Sequence, residues 1–372
     1  MELELDIETS KEENLGGETF NPDAIGTLKP IAVNVCTIEI FEHNNADALE
    51  IGKIDDYQVV VKKNEFKSGD IVVYIPEQSI VPEKIISALG LEGRLAGPEH
   101  NRLKAVKLRG VLSQGLVYRP LNWPADWKLG NDVSEELGIY KWEPPIPPHL
   151  AGDVERAPAH SYYSTYTDIE NIKKYPDVIE DGELVVMSEK LHGSCTIVGI
   201  VGGQSVVSSK GIAAQGLMLK QNAGNAYWRA AEGLGLFDKI ERYLEYVGSK
   251  NALLFGELLG VQDLKYGLRP GELGYAAFDL KIDGEYVNSA DFYKFCDDYG
   301  VRYTPVLYEG PFSKEKLTEF TSGPSEWKNA DHIREGLVVR PVRERENLEV
   351  GRVILKSLSE QYLLRKNPTE YN

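Results

Sequence analysis

The sequence predicts an α+β chain: a small β-barrel first, then a larger domain of antiparallel sheets. Three observations carry this. Short, alternating apolar runs recur at regular spacing between Ile31 and Tyr118. The proline-rich segment Glu143-Pro144-Pro145-Ile146-Pro147-Pro148-His149 then breaks the chain, as a stiff linker does. Beyond it, strand-like runs surround one long amphipathic stretch instead of alternating with helices, which argues against a parallel βαβ sheet. At 372 residues the chain is natural for two domains.

Residues 1–28 are acidic and polar and read as an arm. Residues 29–138 hold the barrel. Ala32 to Ile40 alternates as a strand does, and Tyr57–Val61, Ile71–Ile75, Leu103–Gly110 and Gln114–Tyr118 follow, with a short helix near Val81 to Leu89. Several short strands with regular turns favour an OB-like barrel. Residues 139–165 form the linker and 166–372 the second domain. That domain opens with a short helix at Asp168–Ile172. Leu184–Met187 runs into Lys190, and Cys195–Ile200 with Ser205–Ser209 makes a hairpin across Gly202-Gly203. Tyr227 to Val247 reads as one helix with a Leu236, Ile240, Leu244, Val247 face. Strands return at Leu253–Leu258, Tyr275–Leu280, Gly336–Arg340 and Val353–Leu355.

The net charge of −17 argues against a surface that clings to nucleic acid everywhere, though not against one basic groove. Lys104, Lys107 and Arg109 are the candidates for such a groove. The cysteines Cys36, Cys195 and Cys296 are far apart, so neither a disulfide framework nor a metal-binding cysteine pair is expected. Met1–Asp6 is acidic without an apolar run, unlike a secretory leader. These features together favour a cytoplasmic setting.

The chemistry concentrates in six short segments of the second domain. Lys190 stands in Glu189-Lys190-Leu191-His192-Gly193-Ser194 and is the expected nucleophile, with Glu189, Leu191 and His192 beside the nucleotide. Its amine must be neutral to attack, so burial or nearby cations are expected to lower its pKa. Lys210 follows Ser208-Ser209 and is within reach of a ribose or phosphate. Glu257 sits in an otherwise apolar strand, where a carboxylate is costly unless paired, and a ribose hydroxyl or metal-bound water would pair it. Phe278 offers a ring for a purine, or serves the core. Glu335 opens Gly336–Arg340 and suits Mg²⁺ or Mn²⁺. Lys356 ends the last strand, on one face with Arg352 and Ile354, and is expected to grip phosphate and help lower the Lys190 pKa.

In this order the strings resemble the covalent nucleotidyltransferases: DNA ligases, RNA ligases and capping enzymes. The barrel precedes them, with Lys107-Leu108-Arg109-Gly110-Val111-Leu112-Ser113-Gln114-Gly115 inside it, and Lys356-Ser357-Leu358-Ser359 leads to Tyr362-Leu363. This is similar to the ATP-dependent RNA ligases with an N-terminal OB module. The resemblance implies an adenylyltransferase domain, ATP and a divalent metal as cofactors, and RNA as partner. It implies sealing of 5′-phosphate to 3′-OH ends, as in nick repair, through AMP carried on Lys190. Glu257 would contact the ribose, Phe278 stack on adenine, Glu335 serve the metal, and Lys356 and Lys210 contact the nucleotide. The pattern departs at Ile354, where many members carry a lysine that Arg352 would replace, and at His192, where some carry aspartate. A capping-type guanylyltransferase, a DNA ligase and a non-catalytic RNA-binding protein with a decayed ligase domain are the alternatives.

Overall fold

The structure is a computed structural model that describes residues 31–142 and 153–365. The acidic arm and most of the proline-rich segment lie outside the described residues. The chain divides between Trp142 and Glu143 into two compact units.

In the first unit, β1 (Asn34–Glu42), β2 (Leu49–Ile54), β3 (Tyr57–Lys62), β4 (Asp70–Ile75), β5 (Val106–Leu108), β6 (Val111–Ser113) and β7 (Leu116–Tyr118) build the barrel. The main sheet runs β3-β2-β1-β4-β7, all antiparallel. The barrel curls closed because β3 bonds back to the β6 end: Gln114 N–H donates to Gln58 O and Val60 N–H to Ser113 Oγ. From Val72 to Ile75 the β4 run is apolar because both its faces are covered. Val72 and Tyr74 enter the barrel interior, while Val73 and Ile75 meet α1 (Glu83–Leu89). Leu103–Gly110 is not one strand. Arg109 at φ 48° and Gly110 at φ 89° turn the chain between β5 and β6, a hairpin that favours residues tolerant of positive φ. The unit extends past the expected boundary at 138, since Tyr140–Lys141 pairs with Ser79–Ile80.

The second unit faces two five-stranded sheets toward each other. In chain order its strands are β8 (Glu170–Asn171), β9 (Leu184–Lys190), β10 (Ser194–Val201), β11 (Gln204–Ser209), β12 (Ala252–Leu259), β13 (Gly274–Ile282), β14 (Glu285–Tyr286), β15 (Val306–Pro311), β16 (Gly336–Pro341) and β17 (Leu355–Leu358). One sheet runs β8-β17-β16-β9-β15 and the other β11-β10-β12-β13-β14. Only the β8–β17 pair is parallel among these ladders. The segment expected to open with a helix forms β8 and then a 3₁₀ turn at Ile172–Lys174. Val154–Arg156 pairs with Leu217–Leu219, so this unit begins before the expected end of the linker at 165.

The expected long helix is two, α2 (Ala226–Gly233) and α3 (Leu236–Val247). Gly235 takes the left-handed φ of 60° between them, and α3 buries Leu236, Ile240 and Leu244 against the second sheet while Val247 is exposed. Periodicity also left out α4 (Ser289–Tyr299), β15 and α5 (Lys314–Thr321). Among the described residues no helix is long and apolar enough to cross a membrane.

Apolar packing between the sheets, with Ile197 and Phe255 near Val338 and Ile354, is joined by a buried charge cluster. Asp279 of β13 is fully buried. Its carboxylate accepts from Arg340 Nη1 of β16 at 2.9 Å, Arg352 Nη1 at 2.6 Å and Tyr166 Oη at 2.8 Å. Burial works to raise its pKa, but the two guanidiniums prevail and hold it below the usual carboxylate range. Asp279→Ala leaves two buried cations without their shared anion and should cost about 3–5 kcal/mol in urea unfolding. Because the folded pKa is depressed, this contribution is full above the ordinary carboxylate pKa near ~3.9 and fades as pH falls through the folded value. The gap between wild type and variant should therefore narrow in acid.

Candidate active site

Strand alternation decides which residues of the Lys190 string reach the site. β9 lies between β15 and β16, with Lys190 opposite Gly336. Val185 and Met187 enter the core with Leu337 and Leu355, and Ser188 and Lys190 take the opposite face, toward the second sheet. Glu189 therefore turns away from its neighbour. It is 1% exposed, and its carboxylate accepts from Ser325 Oγ at 2.6 Å and Glu326 N–H at 2.7 Å. Its side chain anchors the 325–326 loop and does not line the nucleotide side, contrary to the expectation. The Leu191 side chain is likewise core, packed with Leu259, Tyr266 and Trp327.

Lys190 Nζ lies 2.7 Å from Glu335 Oε1. Burial alone would lower the lysine pKa, but the carboxylates of Glu335 and Glu257 raise it above the ordinary value. The expected depression by cations is thus reversed: without ligand the amine is held as an ammonium. Burial works to raise the Glu335 pKa, but Lys190 and His192 prevail and bring it down to about 2. Glu335 Oε2 is buried and has no hydrogen-bond partner, with His192 Nδ1 3.6 Å away. Glu257 Oε1 accepts the Gly193 N–H at 2.8 Å, and burial pushes this carboxyl up to about 7. Gly193 is obligatory by contact, since a Cβ there would stand 2.3 Å from Leu258 O.

The bulge in β13 positions Phe278. Phe255 faces Asp279 while Gly256 faces Ala277, so Phe278 is the extra residue and its half-buried ring leans on Tyr166 at 4.9 Å. Lys356 pairs with Val338 in β16, two residues from Gly336, which puts it on the Lys190 face one strand beyond. Lys210 follows the C-terminal end of β11, away from the Gly202-Gly203 turn, and is tied to Asp168 Oδ1 at 2.6 Å. The Cys195 thiol, raised to about 12 by burial first, also feels Glu257, Lys210 and Lys190, so these groups converge on one spot. Arg352 does not replace the lysine missing at Ile354. Its guanidinium is engaged by Asp279 and by Glu344 at 2.7 Å, and it lies over the Tyr286 ring.

Lys107 and Arg109 are exposed on the β5–β6 hairpin, with half-buried Lys104 just before it. Sequence reasoning missed Asp263, Tyr266 and Tyr362, which contact His192. It also missed the Ser325–Glu326 cradle. The Tyr362 signal lay in the Lys356–Leu363 run.

Residues 183–358 match the RNA ligase family model, and residues 33–121 match an OB-fold domain model. The chain therefore carries an RNA ligase domain behind an OB-fold domain. It is similar to solved structures of the Naegleria gruberi RNA ligase. A lysine-to-methionine variant with AMP and Mn shares 27% identity over 89% of this chain and 98% of that chain, with a TM-score of 0.74. A lysine-to-alanine variant with ATP and Mn shares 26% over 90% and 98%, with a TM-score of 0.73. The form with PPi shares 27% over 89% and 97%, with a TM-score of 0.72. No curated protein sequence matches the chain. The ligase domain thus holds Lys190, Glu257, Phe278, Glu335 and Lys356 within its matched span.

In this ligase, Gly193→Ala should force the Lys190 turn off the β12 backbone. A loss of about 1–3 kcal/mol in thermal or urea unfolding is expected.

Proposed function

We propose that this RNA ligase seals a 5′-phosphate to a 3′-OH in RNA, as in nick repair, through AMP carried on Lys190. The observation that supports it most is the convergence of one buried-end amine, two carboxylates and a second lysine on facing sheets. The Lys190 nitrogen attacks the α-phosphorus of ATP. A nitrogen–phosphorus bond forms and the bond to pyrophosphate breaks. The RNA 5′-phosphate oxygen then takes the AMP from Lys190, and the 3′-OH attacks that activated phosphate to release AMP. Lys190 must first lose the proton that Glu335 and Glu257 hold on it.

The residues fit a divalent cation. Glu335 Oε2 is a buried, unpartnered hard oxygen, and among the described residues no group of three or more ligating side chains forms a closed cage. That suits Mg²⁺ or Mn²⁺, which keeps waters and takes substrate phosphates. Such an ion, held through Glu335, supplies charge neutralisation at the phosphate oxygens. The Naegleria gruberi structures with ATP or AMP and Mn support this assignment. Among the protein groups, Glu257 orients the ribose, Phe278 stacks on adenine, and Lys356 and Lys210 take phosphate or ribose contacts. Such transfer needs placement and charge more than acid–base catalysis. In the domain assignment that goes with this, the barrel unit holds RNA through Lys104, Lys107 and Arg109, along a sugar-phosphate path.

Lys190→Ala and Lys190→Arg should both abolish covalent labelling by α-labelled ATP, since arginine keeps its proton. Label retained by either variant sinks the assignment, and labelled GTP in place of ATP would redirect it to a capping-type enzyme. Lys107→Glu with Arg109→Glu should leave labelling intact and weaken RNA binding in a gel-shift assay, with a shallower salt dependence.

A further inference from the structure

A closed ring of contacts surrounds His192, and most of its members lie outside the strings that carry the chemistry. His192 is buried, with Nε2 2.7 Å from Asp263 Oδ1. That contact places a proton on Nε2 and turns Nδ1 toward Tyr362, whose Oη lies 2.9 Å away. The rings of His192 and Tyr362 meet edge to face, with centroids 5.6 Å apart. Arg365 closes the ring: its Nη2 is 3.4 Å from Asp263 Oδ2 and its guanidinium lies 3.8 Å over the Tyr362 ring. The His192 backbone N–H is also fixed, donating to Tyr266 Oη at 2.6 Å.

The ring points at the nucleophile. His192 Nδ1 is 3.6 Å from Glu335 Oε2, and the other oxygen of that carboxylate holds Lys190. The Glu335 backbone is tied to the same C-terminal segment, because Ser359 N–H donates to Glu335 O at 2.9 Å. A chain of neighbours therefore runs from Tyr362 through His192 and Glu335 to Lys190, with the His192–Glu335 step a 3.6 Å approach of buried groups. Tyr362 and Asp263 engage the two ring nitrogens of His192, so removing them loosens the orientation of the imidazole beside Glu335.

We infer that Tyr362 and Asp263 are positioning residues for adenylyl transfer to Lys190, acting through His192 on the Glu335 carboxylate. The inference rests on the reading of Lys190 as the AMP carrier. It makes Tyr362, in the short C-terminal helix Glu360–Leu363, part of the active site through its contact with His192.

The test is the single-turnover rate of covalent AMP formation on the full chain, measured against ATP concentration. Tyr362→Phe and Asp263→Ala should each lower the maximal rate about tenfold, with the half-saturating ATP concentration nearly unchanged. Glu360→Gln, an exposed change in the same helix, should match wild type. In a His192→Ala background, Tyr362→Phe should have no further effect, because the path is already cut. That coupling separates a role through His192 from simple damage to the helix, and unfolding midpoints of all variants check the fold. Wild-type rates in both single variants, or a Tyr362→Phe loss that persists undiminished without His192, would overturn the inference. Failure of the wild type itself to acquire AMP would instead overturn the underlying reading.

Discussion

The contact between Lys190 and Glu335 governs the site. Each is an ion that would be costly to bury alone, and each makes the other tolerable. Their charge states follow from that. The carboxylate is driven well into the ionised range and the amine is kept protonated, against the pull of burial on both. The resting site therefore stores an ammonium and not a free nucleophile. In the reaction proposed above, attack on phosphorus by Lys190 requires that this pair be loosened, which would couple nucleotide arrival to the arming of the amine through electrostatics.

The pair exists only because two sheets face each other. Lys190 ends β9 and Glu335 precedes β16, its neighbour, while Glu257 reaches over from β12 of the opposite sheet. Asp279 binds the second sheet to the first with one carboxylate that accepts from Arg340 of β16 and from Arg352, three residues before β17. The same residue sits beside the bulge that presents Phe278. Sheet cohesion and the placement of the aromatic ring thus share one buried anion, which keeps both arginine guanidiniums engaged.

Much of this was legible from the residue order alone. Apolar alternation marked β1, β3, β4, β9, β12, β13 and β16, since strands buried on one or both faces leave a periodic trace. The strings around Lys190, Glu257, Glu335 and Lys356 were specific because chemistry fixes their types and their order. What escaped were elements with weak periodicity. α5 buries no residue fully, so it leaves little apolar signature. The break between α2 and α3 turned on the φ of a single glycine, which the flanking amphipathic pattern concealed. Glu189 and Arg352 were misread because type and neighbourhood suggest phosphate or nucleotide, whereas side-chain direction delivers one to Ser325 and the other to Asp279.

Residue order alone showed the two-part α+β plan and the likeness to RNA ligases, and it named the amine and carboxylates proposed for the site, because those depend on composition, spacing and succession along the chain. Three-dimensional packing alone decided the protonation of that amine, the engagement of Arg352, and the meeting of His192 with Asp263 and Tyr362, 71 and 170 residues away. The physical reason is that charge states and hydrogen-bond partners are set by distance and burial, and neither can be read from a chain until strands from distant segments lie side by side.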